Sequence, residues 1–228
     1  MLKTILAKTS RFFLVWFLIG FLLIIAWLGG YDLNNRAVAM ATITCGALAV
    51  WFWISGRVFV EFLYCRTWPA IIKVLLVGLT GAIGIELTFW LWEKIVGAMG
   101  VAFNSSFLVT LILTLPSYFL LIILFWLGQK RYRYKTAEIL VWGGVYQVVA
   151  DILTGPLSSN SLLWGIIYGL IGLPIFIIVY SVMMLPLAML LKKIRPMASV
   201  RGSRYQRLVW GLLPMLGFVP FLILRFII

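Results

Sequence analysis

Apolar residues run along this chain in blocks too long for the core of a soluble fold, and polar residues fall mostly between the blocks. A helix needs about 20 mainly apolar residues to cross the hydrocarbon of a bilayer. Seven stretches meet that length, roughly 12–30, 37–56, 69–92, 105–127, 137–156, 162–191 and 206–227. They predict an all-α, polytopic transmembrane bundle in which residues 1–228 form one membrane domain with no room for a soluble one. The second stretch could continue through Phe59 to Tyr64 along the membrane surface. The sixth is long and carries Pro174 and Pro186, which predicts a kink or a tilt.

The segments between the stretches give an independent reading of topology. The N-terminus carries Lys3, Lys8 and Arg11, and the second loop carries Arg57 and Arg66, with Lys73 just beyond. The fourth loop carries Lys130, Arg131, Arg133 and Lys135, and the sixth carries Lys192, Lys193, Arg195, Arg201, Arg204 and Arg207. The intervening loops hold only Arg36 and Lys94, while Arg225 sits near the far end. Cytoplasmic loops are the ones enriched in Lys and Arg. The alternation therefore predicts seven spans, a cytoplasmic N-terminus and a C-terminus on the opposite side. Short loops with this bias suit a bacterial cytoplasmic (inner) membrane. The basic start could serve as a signal-peptide n-region, but the apolar run after it ends in Gly29-Gly30-Tyr31-Asp32, without a small-x-small cleavage pattern. It reads as the first membrane helix.

Composition agrees. The chain is 64% hydrophobic and 11% charged, with a mean hydropathy of +1.12. Soluble domains are about half apolar and about a quarter charged. The net charge of +13 would suggest nucleic acid on a soluble protein. Here no nucleic-acid partner is expected. The bases gather at span ends, where Lys130, Arg131, Arg133, Lys192, Lys193 and Arg195 are placed to meet anionic lipid headgroups. Trp27 and Tyr31, Trp90 and Trp92, and Trp126 with Tyr132 and Tyr134 flank span ends as an interfacial belt does. Cys45 and Cys65 read as free thiols, and the absence of histidine weakens any haem, metal or His-base reading. No cofactor, metal or catalytic residue is expected. No Walker loop, Gly-x-Ser-x-Gly elbow or His-Glu-x-x-His occurs, and Ser105, Ser106 and Ser117 have no histidine to activate them.

Two strips of small residues stand out, Gly78, Gly81 and Gly84 in the third stretch and Gly165, Gly169 and Gly172 in the sixth. Such spacing lets another backbone come close, either inside the bundle or on a partner subunit. Prolines at 116, 174, 186, 214 and 220 lie inside the later spans, where each leaves a carbonyl in need of another donor.

The acids carry the candidate chemistry. Glu61 sits at a cytoplasmic edge, and Asp32 and Glu93 sit in or near outer loops, all three solvated or paired locally. Glu138 opens the fifth stretch, where a negative charge suits a helix N-terminus. Glu86 and Asp151 lie deeper, about 24 and about 21 Å from the cytoplasmic starts of their spans at ~1.5 Å per residue. A charge there costs several kcal/mol unless paired, hydrated or neutralised. Gln147 and Thr154 share the face of Asp151, and Tyr146 adjoins them. This patch is a candidate substrate, ion or proton site with Glu86. It could equally be an interhelical hydrogen-bond network, or Asp151 could simply reach the outer interface. The stretch Ala150-Asp151-Ile152-Leu153-Thr154-Gly155-Pro156 is similar to an Asp-Leu-x-x-Gly stretch of some small membrane families, among them vitamin-uptake substrate subunits and cell-shape membrane proteins. The likeness is confined to that stretch and implies no residue role.

Three function classes follow. A non-catalytic subunit that scaffolds or anchors a larger membrane complex fits the small loops, the glycine strips and the scarcity of polar residues, and implies other membrane subunits as partners. A small transporter, channel or substrate-binding subunit would use Glu86, Asp151, Gln147 and Tyr146 around a water-reachable cavity. An intramembrane lipid enzyme would need a carboxylate base near phosphate-binding arginines, and the deep acids sit at the other end from the arginines. In a scaffold the two acids should instead be capped by neighbouring side chains.

Overall fold

The computed structural model describes residues 15, 18–132, 134–154, 162–194 and 204–227. They form α1 (Leu18–Gly29), α2 (Leu33–Tyr64), α3 (Ala70–Val96), α4 (Phe107–Tyr132), α5 (Thr136–Thr154), α6 (Leu162–Lys193) and α7 (Arg204–Leu212). A 3₁₀ segment, Leu213–Phe218, then leads into α8 (Val219–Ile227). There is no strand among the described residues. Four segments are long and apolar enough to cross a membrane: Leu33–Gly56, Ala70–Val96, Phe107–Tyr132 and Gly169–Lys193. The chain is an all-α, multi-pass integral membrane protein.

Local chemistry sets the helix ends. The Asp32 carboxylate accepts the Asn34 N–H at 2.9 Å and opens α2. At the other end, the buried Lys73 ammonium reaches from α3 to the Tyr64 carbonyl at 2.8 Å, a donor for a carbonyl that the helix leaves unpaired. Gly97 ends α3 with a left-handed φ of 74°, which glycine adopts without a Cβ clash. Glu138 accepts the Lys135 N–H at 2.6 Å, the backward half of a capping box.

The sequence places the second stretch at 37–56 and leaves open a continuation through Phe59 to Tyr64, and α2 takes that continuation as one helix of 32 residues whose apolar span is Leu33–Gly56. At ~1.5 Å per residue it is about 48 Å long, more than the ~30 Å hydrocarbon core. Nothing in residues 57–64 breaks a helix, so Arg57 does not end it. One expected element differs more. The last span was expected as one helix over 206–227. It is instead interrupted, because Pro214 lacks an N–H and its ring crowds the carbonyl one turn back. The chain tightens there to 3₁₀. α6, by contrast, stays helical through Pro174 and Pro186.

α6 is the central strut and packs on α5, α2 and α3. Five segments close a ring: α3 on α4, α4 on the 3₁₀ segment, that segment on α5, α5 on α6, and α6 back on α3. α2 lies outside the ring against α6 and α3. α1 touches α6, where a Cβ on Gly20 would lie 3.1 Å from Pro174.

The glycines sit at the closest approaches. A Cβ on Gly78 would meet Ile122 Cδ1 of α4 at 2.5 Å, and one on Gly81 would meet Met183 Cα of α6 at 2.5 Å. Gly84 is looser, with Val182 at 3.9 Å. A Cβ on Gly169 would collide with Val148 of α5, and Gly165 is also buried.

Candidate functional site

The interior of the ring is polar. Buried positions of α3 recur every three or four residues, through Val74, Gly78, Ala82, Ile85 and Glu86, so Glu86 shares the inward stripe. α4 presents Thr110, Thr114, Ser117 and Tyr118 on its buried face. α6 supplies Tyr180, and α5 supplies Tyr146 and Gln147.

These groups join end to end. The Tyr118 hydroxyl donates to Glu86 Oε1 at 2.8 Å. Its oxygen lies 3.3 Å from the Tyr180 hydroxyl. Tyr180 donates to Gln147 Oε1 over a short 2.5 Å, and Gln147 Nε2 donates to Asp151 Oδ1 at 2.8 Å. A continuous line of polar contacts thus links Glu86 of α3 to Asp151 of α5 through α4 and α6. Tyr146 contributes its ring, stacked on Phe218 at 4.1 Å and 6.0 Å from the Tyr180 ring.

The chain is sealed at one end and looser at the other. Glu86, Tyr118, Tyr146 and Tyr180 are buried, whereas Gln147 and Asp151 are only partly so. No Lys or Arg pairs with Glu86 or Asp151 among the described residues. Ion pairs found among the described residues lie elsewhere, as in Lys94–Glu93 and Lys193–Glu61.

The sequence singled out Glu86, Asp151, Gln147 and Tyr146, and these four lie together. Thr154 ends α5, and its side chain lies outside the described residues. Tyr118 and Tyr180, which make the connection, were missed. Their signal was a tyrosine in mid-span, away from the interfacial belt, and for Tyr118 the stripe Thr110, Thr114, Ser117, Tyr118 at helical spacing.

Glu93 has a stronger role than local pairing in a loop. It is 3% exposed, and one carboxylate oxygen accepts the N–H groups of Val101 and Ala102 at 2.8 and 2.7 Å. It therefore folds the connection between α3 and α4.

The basic candidates form a separate surface. Lys130 lies over the Trp126 ring at 3.9 Å, and Arg131 lies over the Trp210 ring at 5.4 Å. Lys193 reaches Glu61 at 2.9 Å, and Lys192 is exposed. Arg133 and Arg195 lie outside the described residues. Among the described residues no group of three or more His, Cys, Asp or Glu could hold a metal ion. No protein-family model, no curated protein and no solved structure matches the chain.

Proposed function

We propose that the protein is a non-catalytic membrane subunit that scaffolds or anchors a larger complex. The observation that carries this reading is the capping of both deep acids, Glu86 by Tyr118 and Asp151 by Gln147. Among the described residues, moreover, no buried side-chain nitrogen or oxygen lacks a hydrogen-bond partner. Such a ring spends its polar groups on holding helices to one another. In the same reading residues 1–228 form one membrane domain of seven spans, with the N-terminus in the cytoplasm of a bacterium. Lys130, Arg131 and Lys192 meet anionic headgroups, and other membrane subunits cover part of the apolar exterior. The alternating charge of the loops supports that orientation.

The test is purification of the tagged chain from its native membrane in mild detergent, with mass spectrometry of what co-elutes. Stoichiometric partners that survive size exclusion are expected. A monodisperse chain alone would overturn the obligate-subunit reading.

One observation favours a second reading, a small transporter or substrate-binding subunit. Asp151 and Gln147 are only partly buried, so this end of the chain could meet a ligand. Asp151→Asn would then abolish uptake of that ligand while leaving the fold and any partners intact.

A further inference from the structure

The chain from Glu86 to Asp151 has four links: Glu86–Tyr118, Tyr118–Tyr180, Tyr180–Gln147 and Gln147–Asp151. Each link needs one hydrogen. Each tyrosine has a single O–H, and an amide side chain faces one neighbour with its nitrogen and the other with its oxygen. Tyr118, Tyr180 and Gln147 therefore supply three hydrogens for four links. In the arrangement found, Tyr118 donates to Glu86 and Tyr180 donates to Gln147. Both hydroxyl hydrogens then point outward, and none is left between the two tyrosine oxygens. That link is the longest of the four, at 3.3 Å.

The missing hydrogen can come only from an acid at one end. With the proton on Glu86, Glu86 donates to Tyr118, Tyr118 to Tyr180, Tyr180 to Gln147, and the amide nitrogen to Asp151. With the Gln147 amide turned round, its nitrogen donates to Tyr180, Tyr180 to Tyr118 and Tyr118 to the Glu86 carboxylate. Asp151 must then carry the proton and donate to the amide oxygen. Either orientation closes all four links with one added proton.

We propose that Glu86 and Asp151 are the two ends of a proton-binding site that holds one proton between them. The inference goes beyond the subunit reading and holds with or without a partner complex. Transfer between the ends breaks the O–H bond of Glu86, forms one on Asp151, and leaves every other group with the hydrogens it had.

The surroundings admit no competing charge among the described residues. α4 brings Tyr118 and Thr114 to Glu86, and the Thr114 hydroxyl is itself committed to the Thr110 carbonyl at 3.0 Å. α5 brings Tyr146, Gln147 and Asp151, α6 brings Tyr180, and the 3₁₀ segment brings Phe218. From α2, Cys45 lies beside Thr88. Glu86 and Asp151 lie about 24 and about 23 Å from the N-terminal ends of α3 and α5 at ~1.5 Å per residue. The chain thus runs across the bundle rather than along it. It stores a proton within the bundle at one depth.

The test is infrared spectroscopy of the full chain in lipid nanodiscs at neutral pH. The protonated carboxyls contributed by the pair are counted against Glu86→Gln/Asp151→Asn. One per chain is expected, and zero or two would overturn the site. Tyr180→Phe separates the chain into Tyr118–Glu86 and Gln147–Asp151, each with its own donor. The proton is then no longer shared, and the C=O stretch of the protonated carboxyl should shift in frequency. An unshifted band in folded Tyr180→Phe would mean that burial, not the shared chain, holds the proton, and would overturn the proposal. Should Tyr180→Phe fail to fold, Gln147→Leu breaks the same chain one link further on and is read in the same way.

Discussion

Glycine spacing on α3 separates two residues that look alike in sequence. Gly81→Ala places a methyl group 2.5 Å from the Met183 backbone, and backbone cannot step aside as a flexible side chain can. A loss of about 1–3 kcal/mol is expected, read as an earlier thermal transition in detergent. Gly84→Ala meets nothing closer than 3.9 Å and should be neutral or gain up to ~1 kcal/mol from helix propensity. Equal behaviour of the two variants would contradict the α3–α6 approach. Glu93→Ala leaves the Val101 and Ala102 N–H groups without their acceptor, at about 1–3 kcal/mol each if they stay buried. Faster proteolysis between residues 97 and 106 is the expected sign. The deep acids were legible in the sequence because a charge in lipid stands out. Tyr118 and Tyr180 were not, because a tyrosine is apolar over most of its surface and passes as filler until its partner is known.

At the scale of the element, a side-chain hydrogen bond from α4 reaches across to the interrupted C-terminal segment. Ser117 Oγ accepts the Phe221 N–H at 3.1 Å, across from α4 to the first turn of α8. Pro214 and Pro220 bring no N–H of their own, so the ladder in this region leans on neighbours. Ser117→Ala should cost about 1 kcal/mol and raise hydrogen exchange at Phe221, with α4 itself unchanged. Unaltered exchange at Phe221 would show that the contact carries nothing. Helix existence was readable from hydropathy, since the described parts of the seven apolar stretches lie almost wholly in helical segments. Which face of each helix turns inward was not readable. Helices apolar nearly all round carry no stripe to separate a lipid face from a packed one. The interruption at Pro214 was also hidden, because Pro174 and Pro186 carry the same signal inside a helix that stays whole.

For the whole molecule, the proposed seven-span arrangement would place the α2–α3 and α3–α4 connections on opposite sides of the membrane. Cys65 is exposed at the first, and Met99 is 84% exposed at the second. In a Cys45→Ala background, a membrane-impermeant maleimide should label Cys65 only after the membrane is opened from the cytoplasmic side. A Met99→Cys variant should label in intact cells. Labelling of both sites from one side would refute the topology.

The place of α6 in the ring has a consequence for how the chain is made. Synthesis delivers helices in order, and membrane insertion begins before the end of the chain exists. Glu86 gains Tyr118 as soon as α4 arrives, but Gln147 waits for Tyr180, and α2, α3 and α5 all wait for the strut they share. A nascent chain ending at 161 therefore carries an incomplete polar interior into lipid and should be degraded rapidly. One ending at 194 already holds both acids, both tyrosines and the amide. Survival in pulse-chase should rise between those two lengths, so that this bundle becomes durable late, with its sixth helix.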